Sequence, residues 1–303
     1  MLKGVSEEIL ERILTENRSQ ILKYRLEPGR VRQGLLDDAI REVASLSLGR
    51  DTVALRLVKS TGTAVGIFIA TRSGFDSEIF GIEVYRTVVA MFRRDTPADV
   101  RRLLFRNATE ALLKKGAQLH IVRVRLNDMA TLHAFLRPGV LFCDILVTLR
   151  RSYGISLAQG KRMKELSIDI ARQADNAQVA SIAEAGFRAS HYYADPRLPR
   201  SKCNEIYSKW ATSDLMSADK FFVARLRRRV VGFVSCVVRQ VGTYAIGRIC
   251  LICVRKNYAN KGIGYGLLAT AVSWLSKHCS SIYAGTQINN LAAVAMYEKT
   301  GFR

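Results

Sequence analysis

Several things are missing from this sequence, and each absence narrows its function. No apolar run approaches the ~20 residues that a membrane-spanning helix needs, so no membrane association is expected. The N-terminal stretch MLKGVSEEILERILTENRSQ carries acids and no uninterrupted apolar core, and it does not read as a secretory signal. Acidic residues are scarce: 26 Asp and Glu stand against 47 Lys and Arg, a net charge of +21. Such a field attracts polyanions and repels polycations, which disfavours a polyamine substrate; it equally fits a basic solvated surface. The six cysteines (Cys143, Cys203, Cys236, Cys250, Cys253 and Cys279) are too few and too scattered for a disulfide framework. They suit a reducing compartment, so the expected location is the cytoplasm. Cys250 and Cys253 spell C-x-x-C, yet no second pair or nearby histidine completes a zinc site, and no metal is expected. The densest basic cluster, RLRRRV from Arg225 to Val230, has no interleaved aromatics and sits between two apolar runs. It reads as a hairpin turn rather than a nucleic-acid groove.

What is present is a 303-residue chain, 49% hydrophobic and 24% charged, long enough for two ordinary domains. Its most informative stretch is RICLICVRKNYANKGIGYGLL, Arg248 to Leu268. A β-branched run ends at Val254, a basic loop follows, and three alternate glycines open an apolar helical pattern. Strand, glycine loop and helix together present backbone N–H groups to a phosphate. A Walker loop needs Lys-Ser or Lys-Thr after the glycines, and none follows. A dinucleotide fold needs G-x-G-x-x-G and a later acid, but no Asp or Glu occurs from Ile263 to Tyr297.

The segment VRKNYANKGIGYGLL resembles the acetyl-coenzyme A loop of the GNAT N-acetyltransferases, and INNLAAVAMYEKTGF resembles that family's second motif, N-x-x-A-x-x-x-Y-x-x-x-G-F. Asn290, Ala293, Tyr297, Gly301 and Phe302 fall at its positions. The resemblance implies acetyl-CoA as co-substrate, bound by Ile252, Cys253 and Val254 of the strand, by Asn260, Lys261, Gly262, Ile263, Gly264, Tyr265 and Gly266 of the loop, and by Asn290. It also implies Tyr297 as the general acid that protonates the departing thiolate. Ala259 stands where the family usually has Arg or Gln, and Asn260 and Lys261 are the compensating neighbours.

The chain also resembles itself. An offset of 162 lays RTVVAMFRRDTPADVRRLLF from Arg86 on RICLICVRKNYANKGIGYGL from Arg248, and LNDMATLHAFLRPGV from Leu126 on INNLAAVAMYEKTGF from Ile288. The expected fold is therefore a mixed-sheet α/β (α+β) architecture of two tandem GNAT-like domains. The first is degenerate, because Val100, Arg102 and Leu104 replace the three glycines and Phe135 replaces Tyr297. It either completes the substrate site or is a structural partner. The expected divisions are a helical segment over 1–48, a degenerate domain over 49–152, a linker near 151–160 and the acetyl-CoA domain over 161–303. After Gly139 the first half runs on through VLFCDILVTL, whereas the second stops at Arg303. The second domain is thus expected to lack its last strand, or to have that place in its sheet filled by another element.

DSEIFGIEVYR and FRASHYYADPRLPRSKCNEIYSKW resemble segments of the TDP-fucosamine acetyltransferase group, which acts on a nucleotide-linked amino sugar. That likeness implies a small-molecule amine acceptor, with His191, Tyr192, Tyr193 and Arg197 near it; a homodimer is compatible with it. The expected reaction is acetyl transfer to a primary amine by direct attack. Two alternatives stay open: a protein or peptide N-acetyltransferase, and a non-catalytic basic module that binds nucleic acid or a partner. No general base stands out, since the strand ICLICV holds no Asp, Glu or His.

Overall fold

The computed structural model describes residues 50–58, 64–152, 165–241 and 244–303. The expected N-terminal helical segment and most of the expected linker lie outside these residues. The chain divides into two compact units, Met1–Phe142 and Cys143–Arg303.

The first unit carries a four-stranded sheet in the order β1 (Thr52–Val58), β2 (Ala64–Arg72), β3 (Val84–Phe92) and β4 (Leu119–Ile121). The short helix α1 (Gly74–Phe80) precedes β3, and α2 (Ala98–Lys114) and α3 (Met129–Phe135) follow it. Every β2 residue from Ala64 to Ala70 is buried, as a central strand covered on both faces requires. The core joins Phe68, Phe92, Leu104, Phe105 and Leu112, with the Phe135 ring tilted against Phe105 at a ring-centroid distance of 3.5 Å.

The second unit carries a six-stranded sheet in the order β5-β10-β9-β8-β7-β6. Its strands are β5 (Leu146–Ser152), β6 (Leu166–Ile170), β7 (Lys220–Leu226), β8 (Arg229–Val241), β9 (Tyr244–Val254) and β10 (Ser281–Gln287). Its helices are α4 (Asn176–Gly186), α5 (His191–Ala194), α6 (Arg200–Ser217), α7 (Ile263–Leu275) and α8 (Leu291–Lys299). Because side chains alternate along a strand, Phe222 and Ala224 join the cluster of α7 and α8, while Phe221 stacks on Phe233 on the other face. A one-residue slip of β7 would exchange the two sets. The β7–β8 turn falls at Arg227, whose φ is 54°, so the basic cluster is a hairpin turn, with the Arg227 guanidinium bonded to Glu165.

Three features differ from the expectations or sharpen them. The sequence puts the domain boundary after residue 152, but β5 pairs antiparallel with β10 from Leu146↔Gln287 to Ser152↔Ser281 and belongs to the second unit. The strand that continues the first repeat therefore fills the vacant place in the second sheet. The outer side of β5 then exchanges two backbone bonds between Arg150 and Arg303. At the start of α4, a third feature sharpens the sequence reading of a helix there: Asp175 occupies the N-cap position, yet its side chain makes no cap bond to that helix. Instead it accepts the Arg172 N–H at 2.7 Å and a fork of two bonds from Arg225 at 2.6 and 2.8 Å.

The repeat extends to strand register. The parallel pairing Val84↔Leu119 through Arg86↔Ile121 in the first sheet becomes Ile246↔Ser281 through Arg248↔Tyr283 in the second, at the same offset of 162. The helix caps follow it too: Asp128 accepts the Thr131 N–H at the start of α3, and Asn290 accepts the Ala293 N–H at the start of α8.

Candidate active site

Parallel strands β9 and β10 pair only from Ile246↔Ser281 to Ile249↔Ala284. Beyond that point β10 continues with β5 alone and β9 with β8 alone, so the two middle strands part and leave a wedge toward their C-terminal ends. Such a gap exposes backbone donors and acceptors that an extended, amide-bearing ligand can pair with.

Which backbone groups face the wedge is set by a β-bulge. The β8–β9 register shifts between Val234 and Cys236, so Ser235 opposes both Cys250 and Leu251. The Leu251 N–H points to β8, where it bonds Ser235 Oγ at 3.0 Å, and the Arg255 N–H points the same way, to Val231 C=O at 2.8 Å. Backbone polarity alternates along a strand, so Ile252 and Val254 present their N–H and C=O groups to the wedge. Cys253 does not: its backbone faces β8, and its thiol lies 3.7 Å from the Ile182 carbonyl oxygen of α4. Of the three strand residues expected to meet the co-substrate, two have backbone groups in the wedge and Cys253 belongs to the packing behind it.

After β9 the chain makes a 3₁₀ turn over Lys256–Tyr258 and enters α7 through Asn260 (φ 60°) and Gly262 (φ 77°). The left-handed conformation at Gly262 is where glycine is needed for backbone reasons. The other two glycines serve packing. A Cβ on Gly264 would meet Met296 Sδ at 3.1 Å, and one on Gly266 would meet Ile168 Cδ1 at 3.1 Å. No side chain caps α7, and its ladder begins with Gly266 N–H to Gly262 C=O at 2.9 Å. The N–H groups of Ile263 and Gly264 precede that first bond, and with the helix dipole they favour an anion. Lys261 adds a cation there, with Nζ 5.4 Å from the centroid of the Tyr258 ring. Tyr265 lies in the first turn of the same helix. Wedge and helix end together fit a ligand with a phosphorylated end and an amide-bearing arm, as acetyl-CoA has. The first unit differs at the equivalent helix start. There Arg101 is buried and bonds the Thr96 carbonyl, Asp128 and Thr131, and Leu104 is core.

Tyr297 sits on α8 with 3% of its surface exposed, edge-on to Phe302 at 5.3 Å. Burial, reinforced by the neighbouring Cys236 and Cys250 thiols, pushes its phenol well above the usual range and keeps it protonated at neutral pH. It belongs to the core cluster that includes Cys236 of β8 and Ile249 of β9. The Asn290 side chain accepts from Ala293 N and donates to Thr286 Oγ1 at 3.2 Å, so it ties α8 to the end of β10.

The four residues expected at the acceptor do not form one set. Tyr192 is 3% exposed and packs edge-on against Tyr207, so it is a core residue. The apolar face of a helical turn outweighs the polar tip here. Tyr193 donates to Asn204 Oδ1, accepts from Arg188 at 2.6 Å, and lies between the Arg188 and Arg200 guanidiniums. Arg197 grips the buried Asp195 through bonds of 2.6 and 2.8 Å, holding that carboxyl below the usual range. His191 points elsewhere, with Nδ1 3.9 Å from Asp144 Oδ2. Asp144 precedes β5 and carried no motif. Nor did the chain of Leu251 N–H to Ser235 Oγ to Asp214, whose Ser235–Asp214 bond is 2.6 Å. A Ser in an apolar strand, VGFVSCVV, was the available signal for it.

A splayed pair of parallel strands running into an uncapped, glycine-opened helix is an outline that this chain shares with known acetyltransferases. Residues 161–302 match the model of the acetyltransferase (GNAT) family. The spore coat polysaccharide biosynthesis protein SpsD of Bacillus subtilis (strain 168) is 30% identical over 131 residues, which is 42% of this chain and 44% of SpsD. The match thus spans less than half of that relative. A GCN5-related N-acetyltransferase from Sphaerobacter thermophilus, 10% identical, superposes with a TM-score of 0.64 over 100% of this chain and 91% of that one. A tandem GNAT protein from the clavulanic acid biosynthesis pathway, 12% identical, has a TM-score of 0.57 over 100% of this chain and 94% of its own. At these identities the solved structures show the fold alone: a mixed-sheet α/β chain with tandem domains. Among the described residues no helix is long and apolar enough to cross a membrane.

Proposed function

We propose that the protein transfers an acetyl group from acetyl-CoA to a primary amine, with a nucleotide-linked amino sugar as acceptor. The observation that carries this reading is the wedge between β9 and β10, aligned with the uncapped start of α7. The pyrophosphate would lie on the N–H groups of Ile263 and Gly264 beside Lys261. The pantetheine amides would pair with Ile252 and Val254. The Ile252 N–H, the first to face the wedge after the bulge, would polarise the thioester carbonyl. The acceptor nitrogen attacks that carbonyl, the carbon–sulfur bond breaks, and Tyr297 delivers its proton to the sulfur.

A sugar acceptor is supported by the role in spore coat polysaccharide biosynthesis for which SpsD is named, and by the likeness of DSEIFGIEVYR and the Phe187–Trp210 stretch to the TDP-fucosamine acetyltransferase group. The net charge of +21 suits two polyanionic ligands, a coenzyme and a sugar nucleotide.

Calorimetric titration with acetyl-CoA tests the reading. Wild type is expected to bind at micromolar levels, and Gly262→Asp to lose binding at least tenfold. Asp tolerates the left-handed backbone but sets a carboxylate where the pyrophosphate belongs. Absence of binding by the wild type overturns the proposal. Bound coenzyme then allows an acceptor screen that begins with TDP-linked amino sugars.

A further inference from the structure

The reaction needs a group that takes a proton from the attacking amine, and β9 supplies none. A carboxylate suited to orient such a group lies on the segment that leads into β5. The Ile288 N–H donates to the Ile145 carbonyl at 2.9 Å, which places Asp144 near the C-terminal end of β10, one of the two strands that bound the wedge. Asp144 Oδ2 is buried and makes no hydrogen bond among the described residues. The same holds for Ser190 Oγ, on a residue only 4% exposed. A buried acceptor left without a donor costs about 1–3 kcal/mol, more when it is charged, so two at one place mark a missing donor-rich partner. His191 directly follows Ser190 in the chain, with Nδ1 3.9 Å from Asp144 Oδ2 and its ring centroid 4.0 Å from that of Tyr192. The other charged groups at this place are Asp195 and Arg197, which neutralise each other, and the Cys143 thiol, which burial holds protonated.

We propose that His191, oriented by Asp144, is the general base for the acceptor amine, with Ser190 Oγ as the acceptor of the amine's remaining N–H. This rests on the acetyltransferase reading above. His191 is the catalytic residue, since it touches the acceptor nitrogen; Asp144 is a positioning residue. The step balances as follows. The acceptor nitrogen loses one proton to His191 and gains the bond to the acetyl carbon. The carbon–sulfur bond breaks, its electron pair goes to sulfur, and sulfur takes the Tyr297 proton. Exchange with water then returns both side chains to their starting forms. The carboxylate that positions the base is thus supplied by a segment that precedes the matched residues, 161–302, whereas His191 lies within them.

The test uses the full chain as wild type, His191→Gln and Asp144→Asn, each with three readouts. Calorimetry with acetyl-CoA should give the same affinity in all three. Imidazole NMR, with the His191 signal identified among the four histidines by its loss in His191→Gln, should show that ring releasing its proton at lower pH in Asp144→Asn, because a carboxylate that favoured the imidazolium is gone. Acetyl transfer to a TDP-linked amino sugar should fall about 10²-fold or more in His191→Gln and lose its acid-side ionisation, while in Asp144→Asn that ionisation should move with the NMR value. If no such sugar is turned over, hydrolysis of acetyl-CoA follows the same base with water as acceptor and should fall likewise. An active wild type with His191→Gln within threefold and an unchanged pH profile overturns this proposal alone. A wild type that does not bind acetyl-CoA overturns the underlying reading and this one with it.

Discussion

Leu251 gives its backbone N–H to the hydroxyl of Ser235 at 3.0 Å, a side chain standing in for the carbonyl that an ordinary ladder would supply. Ser235 in turn donates to Asp214 at 2.6 Å, and burial pushes the Asp214 carboxyl up from its usual range. This link holds the bulge that turns Ile252 and Val254 to the wedge. In Ser235→Ala the Leu251 N–H and the Asp214 carboxylate both lose a partner. Stability should fall by about 1–3 kcal/mol, read from the urea midpoint, and acetyl-CoA affinity should fall with it. Unchanged affinity would separate the bulge from the binding site.

The glycines of the loop should not be equivalent. Gly262→Ala places a Cβ on a residue at φ 77° and is expected to cost about 1–2 kcal/mol. Gly264→Ala meets only the end of the flexible Met296 side chain, at 3.1 Å, and should cost less. Thermal midpoints of the two variants decide the order.

Tyr297→Phe removes the phenol and keeps the ring that packs on Phe302. The expected result is a drop in kcat of about 10²–10⁴-fold, with acetyl-CoA affinity and unfolding midpoint near wild type. Turnover within a few-fold of wild type at neutral pH would remove Tyr297 from the general-acid role.

Asp175 should make stability depend on acid. The Arg225 guanidinium holds its carboxyl below the ordinary value of 3.8. A carboxyl whose pKa is lowered by folding stabilises the fold above its unfolded value, and that contribution fades as pH falls through the folded one. At pH 7 Asp175→Asn should therefore be less stable by about 1–3 kcal/mol. Below pH 3.8 the difference from wild type should shrink; a gap that stays constant with pH would refute the ion-pair account.

Legibility in the sequence followed locality. The loop at Gly262 could be read because a left-handed backbone position demands a particular residue type, and the repeat could be read because one offset of 162 aligns two separate pairs of segments, from Arg86 on Arg248 and from Leu126 on Ile288. The partner of β5 could not. Pairing Leu146 with Gln287 is a contact between distant segments, and an apolar β-branched strand suits any open sheet edge. Nor does HYYADPR distinguish a ring that fills the core from one that faces a ligand. Tyr192 packs against Tyr207 and Tyr193 is held by Asn204 and arginines, although the two are adjacent. Asp144 was silent because an isolated acid before a strand has no spacing to read.

The strand β5 also governs how the protein can be cut. A fragment beginning at residue 161, where the family match begins, would contain both coenzyme motifs and yet leave the hydrogen-bonding flank of β10 bare from Ser281 to Gln287. Bare flanks of that kind recruit strands from neighbouring molecules, so the minimal fragment would trade a folded monomer for self-association. A fragment beginning at Cys143 brings its own seal.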